Sequence, residues 1–207
     1  MNNKTKIEKP SRKEIVLQEA FKLFLAKGYS AVTFADLVAA TNVSRGDMFH
    51  HFKNKEDIFI KVADRFVFEF LKDKEDFRSD ESETPLKEFL DSWLTRVEIR
   101  MRSFFRETAG KVTAANFMGF ILYLKDNYPS WDEKFAIYMR QEKEVWKRHI
   151  EQAKKCGEIS PEADSEKVFS AFYNSYVGLS YKTSLLGALS IAELRDSVAF
   201  IYNLIKR

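Results

Sequence analysis

Residues 33–52 read TFADLVAATNVSRGDMFHHF, and this stretch decides the fold of the N-terminal part of the chain. Thr33 is followed three residues later by an acid, Asp36, and Ser44 is followed in the same way by Asp47. A hydroxyl residue with an acid at this spacing forms a capping box, which marks the start of a helix. An asparagine lies between the two boxes, and asparagine tolerates the left-handed backbone of a tight turn. The pattern predicts two short helices joined by a tight turn, which is a helix-turn-helix.

Apolar residues recur with a period near 3.6 along the rest of the chain, and no sustained alternation of period two occurs. This periodicity predicts an all-α fold of about nine helices. We expect them over residues 11–27, 34–41, 45–51, 55–77, 85–107, 111–127, 131–156, 164–186 and 191–206. The first three would form an N-terminal domain over residues 1–54, the fourth would connect, and residues 78–207 would form a second helical domain.

Prolines and hydroxyl residues mark several of these helix starts. Thr84-Pro85, Ser160-Pro161 and Ser190 each precede a helical period, and Ser130 with Glu133 forms a further capping box. The charged stretch from Lys72 to Glu83 is predicted to close the fourth helix and to form a solvated loop.

Charge separates the first quarter of the chain from the rest. Ten basic and seven acidic side chains lie within residues 1–57, and their excess of +3 equals the net charge of all 207 residues. A segment that faces phosphates is expected to carry such an excess, although a short basic tail would produce it too. Cys156 is the single cysteine, which excludes an intramolecular disulfide. No apolar run approaches the ~20 residues that span a bilayer and the sequence after Met1 is polar, so we expect a cytoplasmic protein.

The segment from Arg12 to Val62 resembles the DNA-binding domain of the TetR family of bacterial repressors. The resemblance is carried by Ile15, Ala20, Phe24, Gly28-Tyr29, Thr33, Leu37, Val43-Ser44-Arg45-Gly46, Phe49-His50, Phe52, Lys55-Glu56 and Ile58. The length of the chain and its all-helical remainder also fit that family. The resemblance implies a homodimer that binds double-stranded DNA through the helix-turn-helix.

The resemblance also implies a role for each matching position. Thr33 and Lys55 would contact phosphate, Ser44, Arg45 and Gly46 would lead the recognition helix into the major groove, and Phe49 and His50 would approach the DNA backbone. Helix N-termini and lysine ammonium groups favour phosphate, and arginine can bond a guanine edge through two hydrogen bonds. We add Lys53 as a phosphate contact by its charge and position alone.

Two positions depart from the family pattern. Phe49 stands where the family usually has tyrosine, so a hydroxyl contact to phosphate is lost. Asp47 stands where a small hydroxyl residue is common, and its carboxylate would be repelled by phosphates unless it accepts a hydrogen bond from cytosine. We favour a second interpretation of Asp47, in which its side chain bonds back to the Ser44 backbone and caps the helix.

Large aromatic residues dominate the C-terminal region. The resemblance implies a cavity there for a small apolar or aromatic effector, whose binding would shift the C-terminal helices and release DNA. The candidate lining is Phe104, Phe117, Phe120, Trp131, Tyr138, Phe169, Tyr173 and Tyr176. The tyrosines would supply the few polar anchors of such a pocket. For any single one of these residues, an ordinary place in a helix-bundle core is the alternative.

The fifth helix carries four arginines, interleaved with Glu98 and Glu107: Arg96, Arg100, Arg102 and Arg106. Such a pattern is typical of a solvated face with local ion pairs. An arginine turned inward would instead bind an anionic effector.

The last helix carries an apolar seam. Ile191, Leu194, Val198, Ile201 and Ile205 follow one another at alternating steps of three and four residues, as in a coiled coil. The seam would either pack on the chain's own core or meet a second copy. The resemblance implies the second arrangement, with a two-fold dimer that presents two recognition helices to a palindromic operator.

Other classes of function have little support. The sequence holds no glycine-rich phosphate loop, nucleophile elbow or His-Glu metal motif, so we expect neither an enzyme nor a cofactor. His50 and His51 diverge by about 100° on a helix, so we expect no metal site there. The alternative that stays open is a helical adaptor of the same fold that binds a protein instead of DNA.

Overall fold

The chain is described from a computed structural model. It covers residues 10–69, 82–108, 112–187 and 189–207, without the side chains of Phe105 and Glu107. Within these residues the chain forms nine α-helices and no strand, so the predicted all-α fold is confirmed. No helix in this part of the chain is long and apolar enough to cross a membrane. Two compact units divide between residues 70 and 71.

Four helices make up the first unit, and α1 packs against each of the other three. They are α1 (Arg12–Lys27), α2 (Phe34–Thr41), α3 (Arg45–His51) and α4 (Lys55–Ala63). Every helix contributes side chains to one buried core, which contains Ala20, Phe24, Leu37, Met48, Phe52, Ile58 and Val62. Many of these residues lie four positions apart and so share one face of their helix. The core fixes the two short helices on the longer ones.

The turn between α2 and α3 has the predicted conformation. Asn42 adopts a left-handed φ of 55°, and Val43 is buried beneath the turn. Thr33 and Asp36 form a complete capping box at the start of α2. At the start of α3, the Ser44 hydroxyl accepts a hydrogen bond from the Asp47 amide at 3.1 Å. The helix-turn-helix is therefore confirmed, with boundaries set by local side chains.

The fourth helix differs from its prediction. α4 ends at Ala63 and passes into a π-helical turn over Asp64–Phe68, whereas one regular helix was expected over residues 55–77. The wider π turn carries Val67 and Phe68, both of which are buried. Residues 70–77 and the charged stretch as far as residue 81 lie outside the described residues.

The second unit is a bundle of five helices around buried aromatic rings. They are α5 (Pro85–Glu107), α6 (Ala114–Asn127), α7 (Trp131–Cys156), α8 (Ser165–Ser184) and α9 (Ile191–Ile205). Trp146 of α7 is fully buried, and its ring centroid lies 4.9 Å from that of Phe89 and 5.1 Å from that of Trp93. Phe172 of α8 closes the cluster at 5.8 Å from Trp146. Large rings at this centre hold α5, α7 and α8 together.

A buried carboxylate ties the ends of three helices together. Glu158 follows α7, and its two oxygens accept hydrogen bonds from the amides of Leu86 and Lys87, each at 2.8 Å. The Tyr202 hydroxyl of α9 donates to the same carboxylate at 2.9 Å. Burial and the neighbouring Glu158 raise the pKa of Tyr202 above its ordinary value, so this hydroxyl keeps its proton. Glu158 thus caps α5 from a distance of more than seventy residues along the chain.

One predicted helix cap and two predicted helix starts need correction. Ser130 has a left-handed φ of 57° and its side chain makes no cap, so the predicted box with Glu133 is wrong. α8 begins at Ser165 instead of directly after Ser160-Pro161, because the Asp164 carboxylate accepts hydrogen bonds from two amides of its first turn. α6 begins three residues later than residue 111, at Ala114, where Thr113 forms a capping box with Asn116.

Candidate nucleic-acid interface

The start and outer face of α3 are open to solvent. Ser44, Arg45, Gly46, Phe49 and His50 are exposed, as is Lys53 just beyond the helix, whereas Met48 and Phe52 are fully buried. The buried pair anchors α3, and the opposite face projects from the unit. The residues predicted to enter the major groove therefore share one accessible surface.

The Arg45 guanidinium lies against two aromatic rings. Its carbon is 5.3 Å from the ring centroid of Phe34 and 5.6 Å from that of Phe49. The two rings contact each other, with centroids 5.0 Å apart. Phe49 keeps 45% of its surface exposed. The sequence assigns no role to Phe34, so its contact with Arg45 is a finding of the structure.

Asp47 does not act as the cap that we favoured. Its amide donates to Ser44, but its carboxylate accepts a hydrogen bond from the guanidinium of Arg12 at 3.1 Å instead of returning to the Ser44 backbone. The ion pair connects the first residue of α1 to α3. Both side chains are largely exposed, at 67% for Arg12 and 39% for Asp47. The pairing neutralises the acid and places a second guanidinium beside the start of α3.

The start of α2 is held by a tight polar cluster. The Asp36 carboxylate accepts hydrogen bonds from the Lys27 ammonium at 2.6 Å and from the Thr33 amide at 2.8 Å. Lys27 and the hydroxyl and amide of Thr33 hold the pKa of Asp36 far below its ordinary value. Thr33 remains exposed at the helix N-terminus. Thr33 therefore caps α2. Its contact with phosphate stays a prediction.

Lys55 has partners inside the first unit. Its ammonium donates to the carbonyl oxygens of Tyr29 at 3.1 Å and Val32 at 2.9 Å, and it lies 4.3 Å from the centre of the Tyr29 ring. The side chain is half-buried. The cation that the family pattern assigned to phosphate thus holds the loop between α1 and α2.

Comparison with known proteins settles the family of this helix-turn-helix. Residues 16–62 match the family model for bacterial regulatory proteins of the tetR family. The helix-turn-helix of the first unit is therefore of the TetR type. It is 40% identical over 58 residues to the transcriptional repressor ComR of Escherichia coli, and 45% identical over 53 residues to the transcriptional repressor AcnR of Corynebacterium glutamicum. These matches cover 28% and 26% of this chain, respectively, and 28% of the length of either relative.

Solved TetR-family structures share the fold over almost the whole chain. The regulatory protein TetR of Rhodobacter sphaeroides superposes with a TM-score of 0.57 at 19% identity, covering 94% of this chain and all of that one. SmeT, the repressor of a multidrug efflux pump of Stenotrophomonas maltophilia, superposes in its complex with triclosan with a TM-score of 0.63 at 17% identity, covering 96% of this chain and 93% of SmeT. At these identities the likeness concerns the fold alone.

Three tyrosines predicted to anchor an effector come together in the second unit. Tyr138 and Tyr173 each influence the pKa of the other, and the Tyr173 hydroxyl donates to the sulfur of Met139 at 3.3 Å. The ring of Tyr176 lies 6.4 Å from that of Tyr173. Burial raises the pKa of Tyr173 to about 12 and raises the pKa values of Tyr138 and Tyr176 as well. All three hydroxyls therefore stay protonated near neutral pH, and the positive charge of Arg100 acts on two of them.

One further predicted lining residue, Phe169, belongs to the buried core and stacks on Tyr173 at 5.2 Å. Phe104 packs edge-on against Phe117 at 5.3 Å, Trp131 stacks on Phe135 at 5.3 Å, and Phe120 is buried elsewhere on α6. An open cleft of about 640 Å³ lies instead between α7 and the start of α8. Charged residues line that cleft, including Lys147, Glu151 and Glu166, and none of the eight predicted residues does. The effector pocket stays a prediction.

The apolar seam of the last helix faces inward. Leu194 and Val198 are 0% and 3% exposed within the core of the second unit, and Ile191, Ile201 and Ile205 pack against the same core. The prediction that all five residues contact a second copy is therefore wrong for Leu194 and Val198, which are buried within the chain itself. Other apolar side chains of α8 and α9 are exposed: Val177, Tyr181, Phe200 and Leu204. A seam pattern alone could not distinguish the two faces.

The arginines of α5 have mixed surroundings. Arg102 is 78% exposed and pairs with Glu98, which also accepts a hydrogen bond from Arg195 of α9 at 3.0 Å. Arg100 is half-buried and acts electrostatically on the tyrosines. Arg102 thus has the solvated position with a local ion pair that we expect for this helix, whereas Arg100 fits the alternative of an arginine turned inward.

Proposed function

We propose that the chain is a DNA-binding transcriptional repressor in which α3 is the recognition helix. The observation that carries this proposal is the exposed face of α3, where Arg45 and its neighbours project from a rigid core. A short helix with free polar side chains at its N-terminal end fits the major groove of B-form DNA. The two relatives ComR and AcnR are themselves repressors.

The repressor would act as a two-fold dimer on a palindromic operator. A dimer presents two recognition helices, and half-sites would follow one another by about 34–36 Å or a multiple of that distance. The exposed apolar side chains of α8 and α9, from Val177 to Leu204, offer a surface that a second copy would cover. This surface replaces the inward-facing seam as the candidate interface.

Release from DNA would follow the binding of a small apolar or aromatic effector. SmeT, which shares the fold, forms a complex with triclosan, an aromatic compound. In this chain the tyrosine cluster of α7 and α8 combines half-buried rings with protonated hydroxyls, the combination that a mostly apolar pocket with few polar anchors requires. Release also requires that the effector bind the two conformations with different affinities.

Selection from a pool of random duplex DNA tests the proposal and identifies the operator in the same experiment. The full chain is immobilised, and bound DNA is amplified and sequenced over several rounds. We expect enrichment of one motif with two-fold symmetry, and we expect the affinity for that motif to fall steeply as salt concentration rises. A pool that stays random after several rounds would exclude the DNA-binding repressor and favour the adaptor that binds a protein.

A further inference from the structure

The side chain of Arg45 is held in place before any DNA is present. Its guanidinium lies 5.3 Å and 5.6 Å from the ring centres of Phe34 and Phe49, which contact each other. Phe34 comes from the first position of α2 and Phe49 from the second turn of α3. The arginine therefore sits over a platform built by both helices of the helix-turn-helix.

The surroundings leave the N–H groups of Arg45 available. Asp47 is the acid nearest to it on α3, and the carboxylate of Asp47 is engaged by Arg12. Among the described residues no carboxylate forms an ion pair with Arg45, and its contacts are with the two rings. Neither ring carries a conventional hydrogen-bond acceptor, so these cation–π contacts leave the N–H groups of Arg45 available for a base edge.

We propose that Phe34 and Phe49 are positioning residues that orient Arg45 for a guanine edge in the major groove. This inference rests on the proposed function and adds a specificity determinant to it. Reading guanine through two hydrogen bonds requires one orientation of the guanidinium plane, and an exposed arginine otherwise loses rotamer freedom when it binds. Because the two rings already restrict the Arg45 side chain, less conformational entropy is lost when it binds DNA. The side chain at position 49 thus has a function that depends on its ring and does not require the hydroxyl of tyrosine.

Proton NMR of the free protein tests the platform independently of DNA. Protons above an aromatic face shift upfield, so we expect the side-chain protons of Arg45 to lie upfield of those of other exposed arginines. Phe34→Leu and Phe49→Leu keep apolar volume without a ring and should each move these signals toward ordinary values. Unshifted Arg45 protons in the wild-type protein would overturn the proposal, whatever the protein does to DNA.

Anisotropy titrations with the selected operator then test the role of the platform. We expect each leucine variant to raise the Kd about two- to fivefold, the range of an exposed cation–π contact, and to reduce the preference for guanine at the base pair that Arg45 contacts. Phe49→Tyr keeps the ring and adds a hydroxyl that can contact phosphate, so it should bind at least as tightly as the wild type and keep the same preference for guanine. Phe66→Leu is the matched control, since it removes a ring stacked on Phe21 in the same unit at a centroid distance of 4.7 Å.

A double-mutant cycle separates positioning from direct contact. In an Arg45→Ala background the leucine substitutions should have no further effect on the Kd. Equal losses in both backgrounds would show that the rings act without Arg45 and would overturn the inference, while the repressor proposal would stand. Thermal unfolding of each variant verifies that it is folded. Failure of the wild-type protein to bind any selected DNA would instead refute the proposed function, and the specificity role would fall with it.

Discussion

Two lysines near the end of the helix-turn-helix look alike in the sequence and differ in the structure. Lys53 is exposed beyond α3, whereas Lys55 is half-buried and donates to the carbonyls of Tyr29 and Val32. We expected both to contact phosphate, Lys55 from the family resemblance and Lys53 from its charge and position. The contrast could not be predicted, because the carbonyls that engage Lys55 lie more than twenty residues away in the sequence.

Substitution of each lysine should therefore change a different quantity. We expect Lys53→Ala to reduce the slope of log affinity against log salt by about 1, with little change in stability. We expect Lys55→Met to lower the free energy of unfolding by about 1–2 kcal/mol, because the two hydrogen bonds that its ammonium donates to backbone carbonyls are lost. Anisotropy at several salt concentrations and urea unfolding measure the two effects. The reverse pattern, with stability lost at Lys53, would contradict this assignment.

Asp47 shows the same limit of sequence reasoning at a single residue. Its spacing from Ser44 correctly predicted the start of α3, because the cap is formed by neighbours three residues apart. The partner of its carboxylate is Arg12, which is 35 residues away, and nothing in the local pattern indicates it. Local spacing therefore predicts where the helix begins but not which charges meet on its exposed face.

At the scale of the element, helix caps explain which boundaries were predictable. Thr33 at α2 and Ser190 at α9 cap through neighbours within one turn, and both helices start where the sequence indicates. The start of α5 was also predicted correctly, from Pro85, but its cap was not, since Thr84 makes no side-chain cap and Glu158 supplies it from the end of α7. A cap that comes from a distant segment leaves no local signature.

The Asp36 carboxylate should make the stability of α2 depend on pH. Lys27 and Thr33 hold its pKa below the unfolded value, so its stabilising contribution is complete above about pH 4 and is lost as the pH falls through its folded pKa. Asp36→Asn should therefore be less stable than the wild type at pH 7, and the difference should shrink below pH 4. Urea unfolding at pH 7, 4 and 3 measures it. A difference that stays constant over this range would exclude the carboxylate as its source.

Removing Glu158 should destabilise the second unit strongly. Glu158→Ala leaves two amides at the start of α5 and the Tyr202 hydroxyl without their acceptor, so we expect a loss of about 2–4 kcal/mol. Tyr202→Phe removes one of these bonds and should cost about 1 kcal/mol. Both are measured by thermal or urea unfolding, and the double variant should lose less than the sum of the two. Strict additivity would show that the two side chains act separately.

At the scale of the whole molecule, the fold was predictable and the assembly surface was not. Periodicity indicates that one face of α9 is apolar, but a seam that packs on its own core and a seam that meets a partner have the same spacing. The structure places Leu194 and Val198 inside and leaves Phe200 and Leu204 outside. The lining of the effector pocket could not be predicted for a similar reason, because a high content of aromatic residues does not indicate which rings line the same cavity.

Charge on the outer face of α9 should prevent the proposed dimer. Phe200 and Leu204 are 66% and 69% exposed, so glutamate at both positions should leave the fold intact and give a monomer in sedimentation equilibrium. The operator affinity should fall with the dimer. Leu122→Glu on α6, at a residue that is 61% exposed, is the matched control and should remain dimeric. A dimer that survives the double substitution would exclude this surface as the interface.

The proposed function requires that α3 contact the bases of DNA. An anisotropy titration of the wild type and of Arg45→Ala against the selected operator tests this directly. We predict that the variant binds roughly 5- to 150-fold more weakly, the range for loss of one bidentate arginine–guanine contact, and that it no longer distinguishes guanine at one base pair. Equal affinity and equal base preference for the two proteins would contradict the assignment of α3 as the recognition helix.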